Sequence, residues 1–258
     1  IYTPLLGLTE KNGFKDDLKK AYLWELNEYF KKISDNSTPL VKALGDENRF
    51  WERVSEVFLF NRFLGEESFK PIIEPKIPYR NNPTDLSIKL ANKKVYFEVK
   101  KLWSNRNLIL DNGAVGIKNK AKGSIYTAYN QIQSEKLYNN MKNGTCKDFF
   151  FIVLDLSNSI ADEYDVLDAL YGSLGYQWFM NKDTGETTEP QLIRHPDSLG
   201  HKKERAGILS GVIFFKTELE TDAGKLKLKL RGDIIINPKA INVPSEDEIK
   251  KLKEIIFK

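Results

Sequence analysis

The sequence predicts an α/β protein in which a mixed β-sheet is flanked by helices, and three observations favour this class. Residues 83–100 alternate between apolar and polar side chains on both sides of a short turn, which is typical of a β-hairpin. Residues 148–155 form an apolar run rich in aromatics, which indicates a strand buried on both faces. Apolar residues recur at helical spacing before and after the hairpin.

Composition limits the classes of function that this chain can have. Its 258 residues are 41% hydrophobic, enough for a substantial core, and its net charge of +4 permits nucleic-acid binding without arguing for it. The single Cys146 excludes an internal disulfide and fits a reducing compartment, so we expect a cytoplasmic protein. The only histidines, His195 and His201, are too few to complete a structural zinc site. No Gly-Lys-Ser/Thr sequence occurs, which argues against a Walker A nucleotide hydrolase.

The first element in chain order is an amphipathic helix. Apolar residues from Phe14 to Ile33 repeat at helical spacing, and a polar turn follows them. We therefore expect residues 1–45 to form an N-terminal helical elaboration. No apolar run is long enough to span a membrane, so we expect no membrane partner, and the initial Ile1 suggests an incomplete or processed start.

A second helix is predicted from Asp46, a plausible N-cap, to Leu64. On this helix Glu52 and Glu56 lie one turn apart, on a different side from the main apolar stripe. Either carboxylate could face the hairpin that follows. We favour Glu56, because it lies between the directions of two phenylalanines and a carboxylate in apolar surroundings needs a charged partner.

The hairpin sorts its residues onto two faces. One face is apolar and is predicted to join the core: Leu86, Ile88, Leu90, Val95, Phe97 and Val99. The other face is polar: Asp85, Ser87, Lys89, Tyr96, Glu98 and Lys100. With Asn92-Lys93 as the turn, Leu86 would pair with Val99, and Asp85 would lie opposite Lys100 with Glu98 on the diagonal. The register therefore predicts that Asp85, Glu98 and Lys100 meet.

Such a cluster has a chemical use. Mg2+ usually binds through one or two carboxylates, keeps several waters, and accepts phosphate oxygens from a substrate. A lysine beside the carboxylates can orient a water or stabilise the charge that develops at phosphorus. Because two carboxylates would adjoin Lys100, we expect its amine to stay protonated and to position groups rather than act as a base.

Asp85, followed after a turn by Glu98-Val99-Lys100, resembles the signature of the PD-(D/E)xK phosphodiesterases, the restriction-endonuclease-like nucleases. The resemblance implies that Asp85, Glu98 and the Val99 carbonyl bind Mg2+, for which Mn2+ can substitute, and that Lys100 is catalytic. It also implies an acidic residue from the preceding helix, here Glu56 or, less strongly favoured, Glu52, beside the metal. The family's proline directly before the aspartate is displaced, since this chain has Pro83-Thr84-Asp85.

The resemblance further implies a restriction-endonuclease-like core of order αβββαβ across residues 46–160. Family members often place a glutamine or lysine on the helix after the active strand. Here a helix is predicted from about Gly123 to Met141, on which Gln133 and Lys136 would share a face. Basic residues between the hairpin and this helix are expected to track a phosphate backbone. They are Lys101, Arg106, Lys118, Lys120 and Lys122.

Residues 161–258 are predicted to form a C-terminal elaboration of the same single domain. Its polar stretch from Asn181 to Gly207 resembles a long loop, and strands are predicted at 208–215 and 226–236. A capping box from Ser245 to Glu248 opens a last helix, with Ile249, Leu252 and Ile256 as its buried stripe.

Taken together, these features predict a Mg2+-dependent endonuclease that hydrolyses DNA, preferably double-stranded, in restriction and defence, recombination or repair. Two alternatives stay open: a catalytically silent nuclease-fold protein that serves binding or assembly, and an RNA-directed nuclease. A homodimer or an assembly with partner proteins is compatible with all three functions.

Overall fold

The computed structural model describes residues 16–32, 50–80, 82–103, 120–159, 161–222 and 225–257. In these ranges the helices are α1 (Asp16–Lys32), α2 (Phe50–Leu64), α3 (Lys120–Ile132), α4 (Glu135–Lys142), α5 (Glu163–Tyr171), α6 (Leu199–Lys202) and α7 (Glu246–Ile256). The strands are β1 (Ile72–Ile73), β2 (Leu86–Leu90), β3 (Lys93–Trp103), β4 (Phe149–Asn158), β5 (Leu174–Gln177), β6 (Gln191–Arg194), β7 (Gly211–Asp222) and β8 (Lys225–Ile236).

A six-stranded mixed sheet organises the fold, in the order β1-β2-β3-β4-β7-β8. Strand β4 runs parallel to both of its neighbours, β3 and β7, while the outer pairs are antiparallel. One core packs α1, α2 and α7 against one face of this sheet, and a second core packs α3, α4 and α5 against the other. The predicted α/β class with a mixed, helix-flanked sheet is therefore confirmed.

Strand β4 is buried on both faces, as its unbroken apolar run predicts. Phe149, Phe151 and Val153 belong to the first core, whereas Phe150 and Ile152 belong to the second. Because each face of β4 is covered by helices, a continuous apolar sequence is stable here where an exposed strand would alternate.

The hairpin of β2 and β3 has the predicted faces but not the predicted register. Leu86 pairs with Phe97 rather than with Val99, and the turn is Ala91-Asn92 rather than Asn92-Lys93. Ala91 adopts a left-handed conformation, with a φ of 52°, to close this tight turn. The register differs from the predicted one by two residues, an even number, so every side chain stays on its expected face and the predicted apolar face joins the first core.

Helices α1 and α2 pack together through aromatic side chains. The Tyr22 ring meets Trp51 edge to face, with 5.4 Å between centroids, and Tyr29 meets Phe60 at 5.5 Å. The apolar spacing of α1 therefore serves packing, as the sequence indicates. The predicted N-cap Asp46 lies outside the described residues.

The helix predicted from Gly123 to Met141 is in fact two helices. Ser134 breaks it, because its extended backbone, with φ −151° and ψ 155°, lets its side chain accept the Leu137 amide and cap α4. Gln133 therefore precedes the break and Lys136 follows it, so the prediction that they share one helical face is wrong. Helix α3 also begins earlier than predicted, and Lys120 and Lys122 belong to it rather than to a loop.

The polar stretch 181–207 is also more ordered than predicted. Its strand β6 pairs with β5 in a separate two-stranded sheet, and α6 follows. The sequence did not predict this hairpin, because its strands are exposed and therefore lack the alternation of apolar and polar residues that indicates a half-buried strand. Several of its large apolar side chains lie in solvent: Leu174, Tyr176, Trp178, Phe179, Met180 and Leu192.

The C-terminal helix α7 closes the first core, as predicted. The Ser245 hydroxyl accepts the Glu248 amide at 3.2 Å, and a Glu248 carboxylate oxygen accepts the Ser245 amide at 2.9 Å. Leu252 and Ile256 are buried and Ile249 packs at the margin. None of the helices in the described ranges has the length and apolar character needed to cross a membrane.

Candidate active site

Helix α2 places a buried carboxylate at the start of the hairpin. Glu56 is only 2% exposed. Arg53, one turn earlier on α2, donates from Nη1 to both Glu56 carboxylate oxygens, each at 2.7 Å. The same nitrogen lies 3.4 Å from Oδ1 of Asp85. Arg53 thus joins the helix carboxylate to the hairpin carboxylate.

Asp85 lies one residue before β2 begins, where β3 continues without a strand partner on that side. Its Oδ2 accepts the Val99 amide at 2.7 Å. In an antiparallel pair the N–H and C=O of one residue point to the same neighbour, so the Val99 carbonyl also points to the side of Asp85. The side chain of Asp85 is therefore oriented by the backbone that follows Glu98.

Glu98 and Lys100 lie on one face of β3, two residues apart, and form an ion pair. Lys100 Nζ donates to Glu98 Oε1 at 2.9 Å. The second Glu98 oxygen accepts the Thr84 hydroxyl at 3.1 Å, and the same hydroxyl lies 2.7 Å from the Phe97 carbonyl. Thr84 therefore fixes the orientation of Glu98.

Burial raises the pKa of all three carboxyl groups, and the Asp85 charge adds to the rise at Glu56 and Glu98. Burial raises the pKa of Glu56 well above its usual value, and the Asp85 charge adds to this effect. Burial raises the pKa of Asp85 as well, although Lys100, the Val99 amide and Arg53 oppose the rise. Burial, with help from Asp85, raises the pKa of Glu98 to about 6. The three groups form an acidic cluster that favours a nearby cation.

The Lys100 ammonium stays charged in the site. Burial alone would lower the pKa of Lys100, but the Glu98 and Asp85 carboxylates raise it above its ordinary value. Glu52 contributes to the same rise, so it lies near Lys100, although it is more exposed than Glu56. Of the two helix carboxylates, Glu56 is the one that shares a cation with Asp85.

The prediction that Lys101 contacts nucleic acid is wrong. The Lys101 side chain is fully buried, and Nζ lies 2.7 Å from Oδ2 of Asp155, which is fully buried too. Asp155 also accepts the Ser55 hydroxyl at 2.6 Å and the Ser157 hydroxyl. Alternation along β3 explains the error, since Lys101 points to the opposite face from Lys100.

The other predicted nucleic-acid contacts are scattered. Arg106 and Lys118 lie outside the described residues, and Lys120 is described only as the first residue of α3. Lys122 pairs with Asp197 at 2.7 Å, which occupies its charge within the protein. Lys136 lies over the Tyr79 ring, with Nζ 5.8 Å from the centroid. The Gln133 carbonyl accepts from Arg80 at 3.3 Å.

Sequence reasoning missed three residues at the site: Arg53, Thr84 and Arg80. The spacing of Arg53, three residues before Glu56 on a predicted helix, was a usable signal for an ion pair. Arg80 is close enough to Glu98 for their charges to interact, although burial lowers its pKa, and it also donates to the Asn130 carbonyl near the end of α3. No local pattern indicated that contact.

The donor set fits a divalent cation. Within the described ranges no group of three His, Cys, Asp or Glu side chains has the arrangement of a metal site. Mg2+ does not need three, because one or two carboxylates with waters suffice. Asp85 and Glu98 supply hard oxygen donors, and the Val99 carbonyl points to the same side.

Comparisons of the chain with models of known protein families, with curated proteins and with solved structures returned no match.

Proposed function

We propose that this protein is a Mg2+-dependent endonuclease of the PD-(D/E)xK type, which hydrolyses phosphodiester bonds in DNA. One observation supports the proposal above all others. Three carboxylates from different elements, Glu56, Asp85 and Glu98, gather with Lys100 where β2 begins. Ordinary surface acids would not lie together with raised pKa values.

Asp85, Glu98 and the Val99 carbonyl would hold the cation, with Glu56 adjacent. A bound divalent cation would supply Lewis acidity, which lowers the pKa of a coordinated water and offsets charge at phosphorus. The protein's own contribution is orientation. The Val99 amide fixes Asp85, and the Thr84 hydroxyl fixes Glu98, so neither carboxylate needs to reorganise during the reaction.

Lys100 acts as a charged positioner in this proposal. Its raised pKa keeps the ammonium protonated at neutral pH, so it can donate hydrogen bonds but cannot accept a proton. The Glu98 contact at 2.9 Å holds the ammonium beside the carboxylates. There it can orient an attacking water or stabilise the negative charge that develops on the phosphate.

A cationic surface on the same hairpin supports a nucleic-acid substrate. Lys89 and Lys94 lie directly opposite each other on the face of the hairpin that also holds Glu98. Like charges at paired positions repel, and phosphate oxygens would relieve that repulsion. At about 3.3 Å per residue, Lys94 lies about 13 Å along the strand from Glu98. Lys70 lines the same groove of about 320 Å³ as these two lysines, whereas Lys93 in its wall is paired with Glu248 at 3.0 Å.

The test is cleavage of supercoiled plasmid and of a labelled RNA, each with and without Mg2+. We expect the parent protein to cleave the plasmid only with Mg2+, and Asp85→Ala to lose both cleavage and metal binding. Lys100→Ala should lose cleavage while metal binding is retained or only moderately changed. Glu254→Ala, which removes an exposed carboxylate far along the chain in α7, is the matched control and should cleave normally.

The outcomes separate the alternatives. Cleavage of RNA alone would support an RNA-directed nuclease. Nucleic-acid binding without cleavage of either substrate would support a silent nuclease-fold protein. Equal activity of parent, Asp85→Ala and Lys100→Ala would exclude this active site.

A further inference from the structure

Arg53 occupies an unusual position between two carboxylates. A single nitrogen, Nη1, lies 2.7 Å from both oxygens of Glu56 and 3.4 Å from Asp85. Arginine normally pairs with a carboxylate through two parallel N–H groups of its fork. Here one nitrogen contacts both carboxylates, so the guanidinium attracts them mainly through its charge and not through two parallel hydrogen bonds.

A second observation shows that hydrogen bonding alone does not explain this placement. Arg53 Nε is buried and has no hydrogen-bond partner within the described part of the chain. A buried donor without an acceptor is unfavourable, because it has lost its hydrogen bonds to water. The charges of Glu56 and Asp85 therefore hold the guanidinium in a position where its Nε–H group has no hydrogen-bond acceptor.

Arg53 occupies the space that a cation at Asp85 and Glu56 would need. Nη1 lies 2.7 Å from Glu56 and 3.4 Å from Asp85, so its positive charge is in contact with both carboxylates. A divalent cation held by Asp85, with Glu56 adjacent, would therefore meet a like charge at short range. For the cation to contact these oxygens, Nη1 must leave.

We propose that Arg53 is an internal counter-ion for Glu56 and Asp85, which a divalent cation must displace. This inference rests on the proposed function, because it takes a divalent cation as the ligand of the site. The Arg53 side chain is 15% exposed, so solvent reaches part of it. Although burial opposes the rise, the charges of Glu56, Asp85 and Glu74 raise the pKa of Arg53, so the guanidinium stays charged. Arg53 is thus a positioning residue that sets the affinity for the cation.

The test is direct titration of Mn2+ into purified protein, followed by electron paramagnetic resonance of the free ion. Arg53→Met removes the competing charge and retains an apolar stem, so it should bind Mn2+ at least about tenfold more tightly than the parent. Arg53→Lys keeps a charge on a shorter stem and should bind like the parent or only modestly more tightly. Added Mn2+ should also raise the melting temperature of Arg53→Met more than that of the parent.

Arg62→Met provides a matched control. Arg62 lies on the same helix, its side chain is 18% exposed against 15% for Arg53, and it pairs with the buried Glu25 at 3.0 Å. Its loss should cost stability in a similar way, because it too leaves a buried carboxylate without a cation. Its affinity for Mn2+ should equal that of the parent, since Arg62 does not contact the site.

Unmodified protein provides a second measurement that does not depend on the folding of a variant. The Nε–H resonance of Arg53 should shift when Mg2+ is added, and that of Arg62 should not. Weaker or unchanged Mn2+ binding by Arg53→Met, or an unperturbed Arg53 resonance in Mg2+-saturated parent, would overturn this inference. If the parent still cleaves plasmid with Mg2+, only the role of Arg53 fails. If the parent neither cleaves nor binds Mn2+, the proposed function fails as well.

Discussion

Glu98 is the residue of the proposed cation site at which a proton would compete most directly with a metal ion. Its carboxylate lies between Lys100 and Thr84, and burial raises its pKa to about 6. A carboxylate must lose its proton before it can bind a hard cation. Binding of a divalent cation should therefore strengthen as the pH rises through about 6.

Without divalent cations, the same residue should make stability depend on pH. A carboxyl group whose folded pKa is raised holds its proton more tightly in the folded state than in the unfolded state. Its stabilising contribution is complete below the unfolded pKa, near 4.5, and is lost as the pH rises through about 6. Between pH 4 and 7.5, Glu98→Gln should thus gain stability relative to the parent, by at most about 2 kcal/mol.

Urea unfolding at a series of pH values measures this difference. The parent free energy of unfolding should fall relative to that of Glu98→Gln across the stated window, and the two should run parallel above pH 7.5. Glu254→Ala, which changes an exposed carboxyl group, should track the parent throughout. Parallel curves for the parent and Glu98→Gln from pH 4 upward would show that Glu98 titrates normally.

At the scale of elements, a buried ion pair links two parallel strands to a helix. Lys101 on β3 and Asp155 on β4 lie at paired register positions, and Ser55 of α2 donates to the same Asp155 oxygen as Lys101. Although burial opposes it, the Lys101 charge lowers the pKa of Asp155, so the carboxylate stays ionised. The pair lies on the opposite face of β3 from Lys100 and fixes the strand that also holds Glu98 and Lys100.

Removal of one partner from this pair should be strongly destabilising. Asp155→Ala leaves Lys101 charged and buried, which should lower the free energy of unfolding by about 3–5 kcal/mol in urea titrations at pH 7. Replacing both residues, as Lys101→Met with Asp155→Leu, should recover much of that loss. The exposed pair of Glu218 and Arg231 across β7 and β8 is the control, and Glu218→Ala should cost under about 1 kcal/mol. Equal losses in the single and double variants would contradict this account.

The lysines near the hairpin turn should contribute to nucleic-acid binding. Lys89→Ala with Lys94→Ala should weaken binding of every sequence about equally, and should reduce the slope of log K against log salt by up to about 0.9 for each lost phosphate contact. Lys216→Ala with Lys250→Ala, which removes two exposed lysines elsewhere, should leave the slope unchanged. Fluorescence anisotropy with a labelled duplex measures both. An unchanged slope in the Lys89 and Lys94 variant would place the nucleic acid on another surface.

At the scale of the whole molecule, the C-terminal region completes the central sheet. Strand β7 pairs with β4 along its length from Gly211 to Phe215, and β8 pairs with β7. Ile213 and Phe215 are fully buried in the first core, together with residues of α1 and α2. Strands β7 and β8 of the predicted C-terminal elaboration therefore share one sheet and one core with α1 and α2.

This arrangement predicts that residues 46–160 cannot fold alone. A fragment with those bounds would expose the long edge of β4 and the apolar surface that β7 and β8 cover. We expect it to lack a cooperative thermal transition and dispersed amide resonances, both of which the full chain should show. A fragment 46–160 that unfolds cooperatively would show that these residues fold independently of the C-terminal region.

Local sequence determined the faces of the strands and the stripe of each long helix. Period-two alternation placed the apolar side of the hairpin in the core and Glu98 with Lys100 on its other side, whatever the register. The capping box of α7 and the unbroken apolar run of β4 are also local signals, and both were sufficient. Each of these features depends on residues only a few positions apart, so the spacing of residue types along the chain is enough to predict it.

Tertiary structure alone decided how the elements meet. Glu98 and Lys100 lie on the sheet face of the second core, whereas α2 packs on the face of the first core. The α2 residues and the β3 residues share one site only because Asp85 lies between them, at the edge where β2 begins. Spacing could not show that Lys101 would find Asp155 in a strand 54 residues later, or that Arg53 would hold two carboxylates. Such contacts depend on sheet order and on burial, and both arise only when distant segments pack.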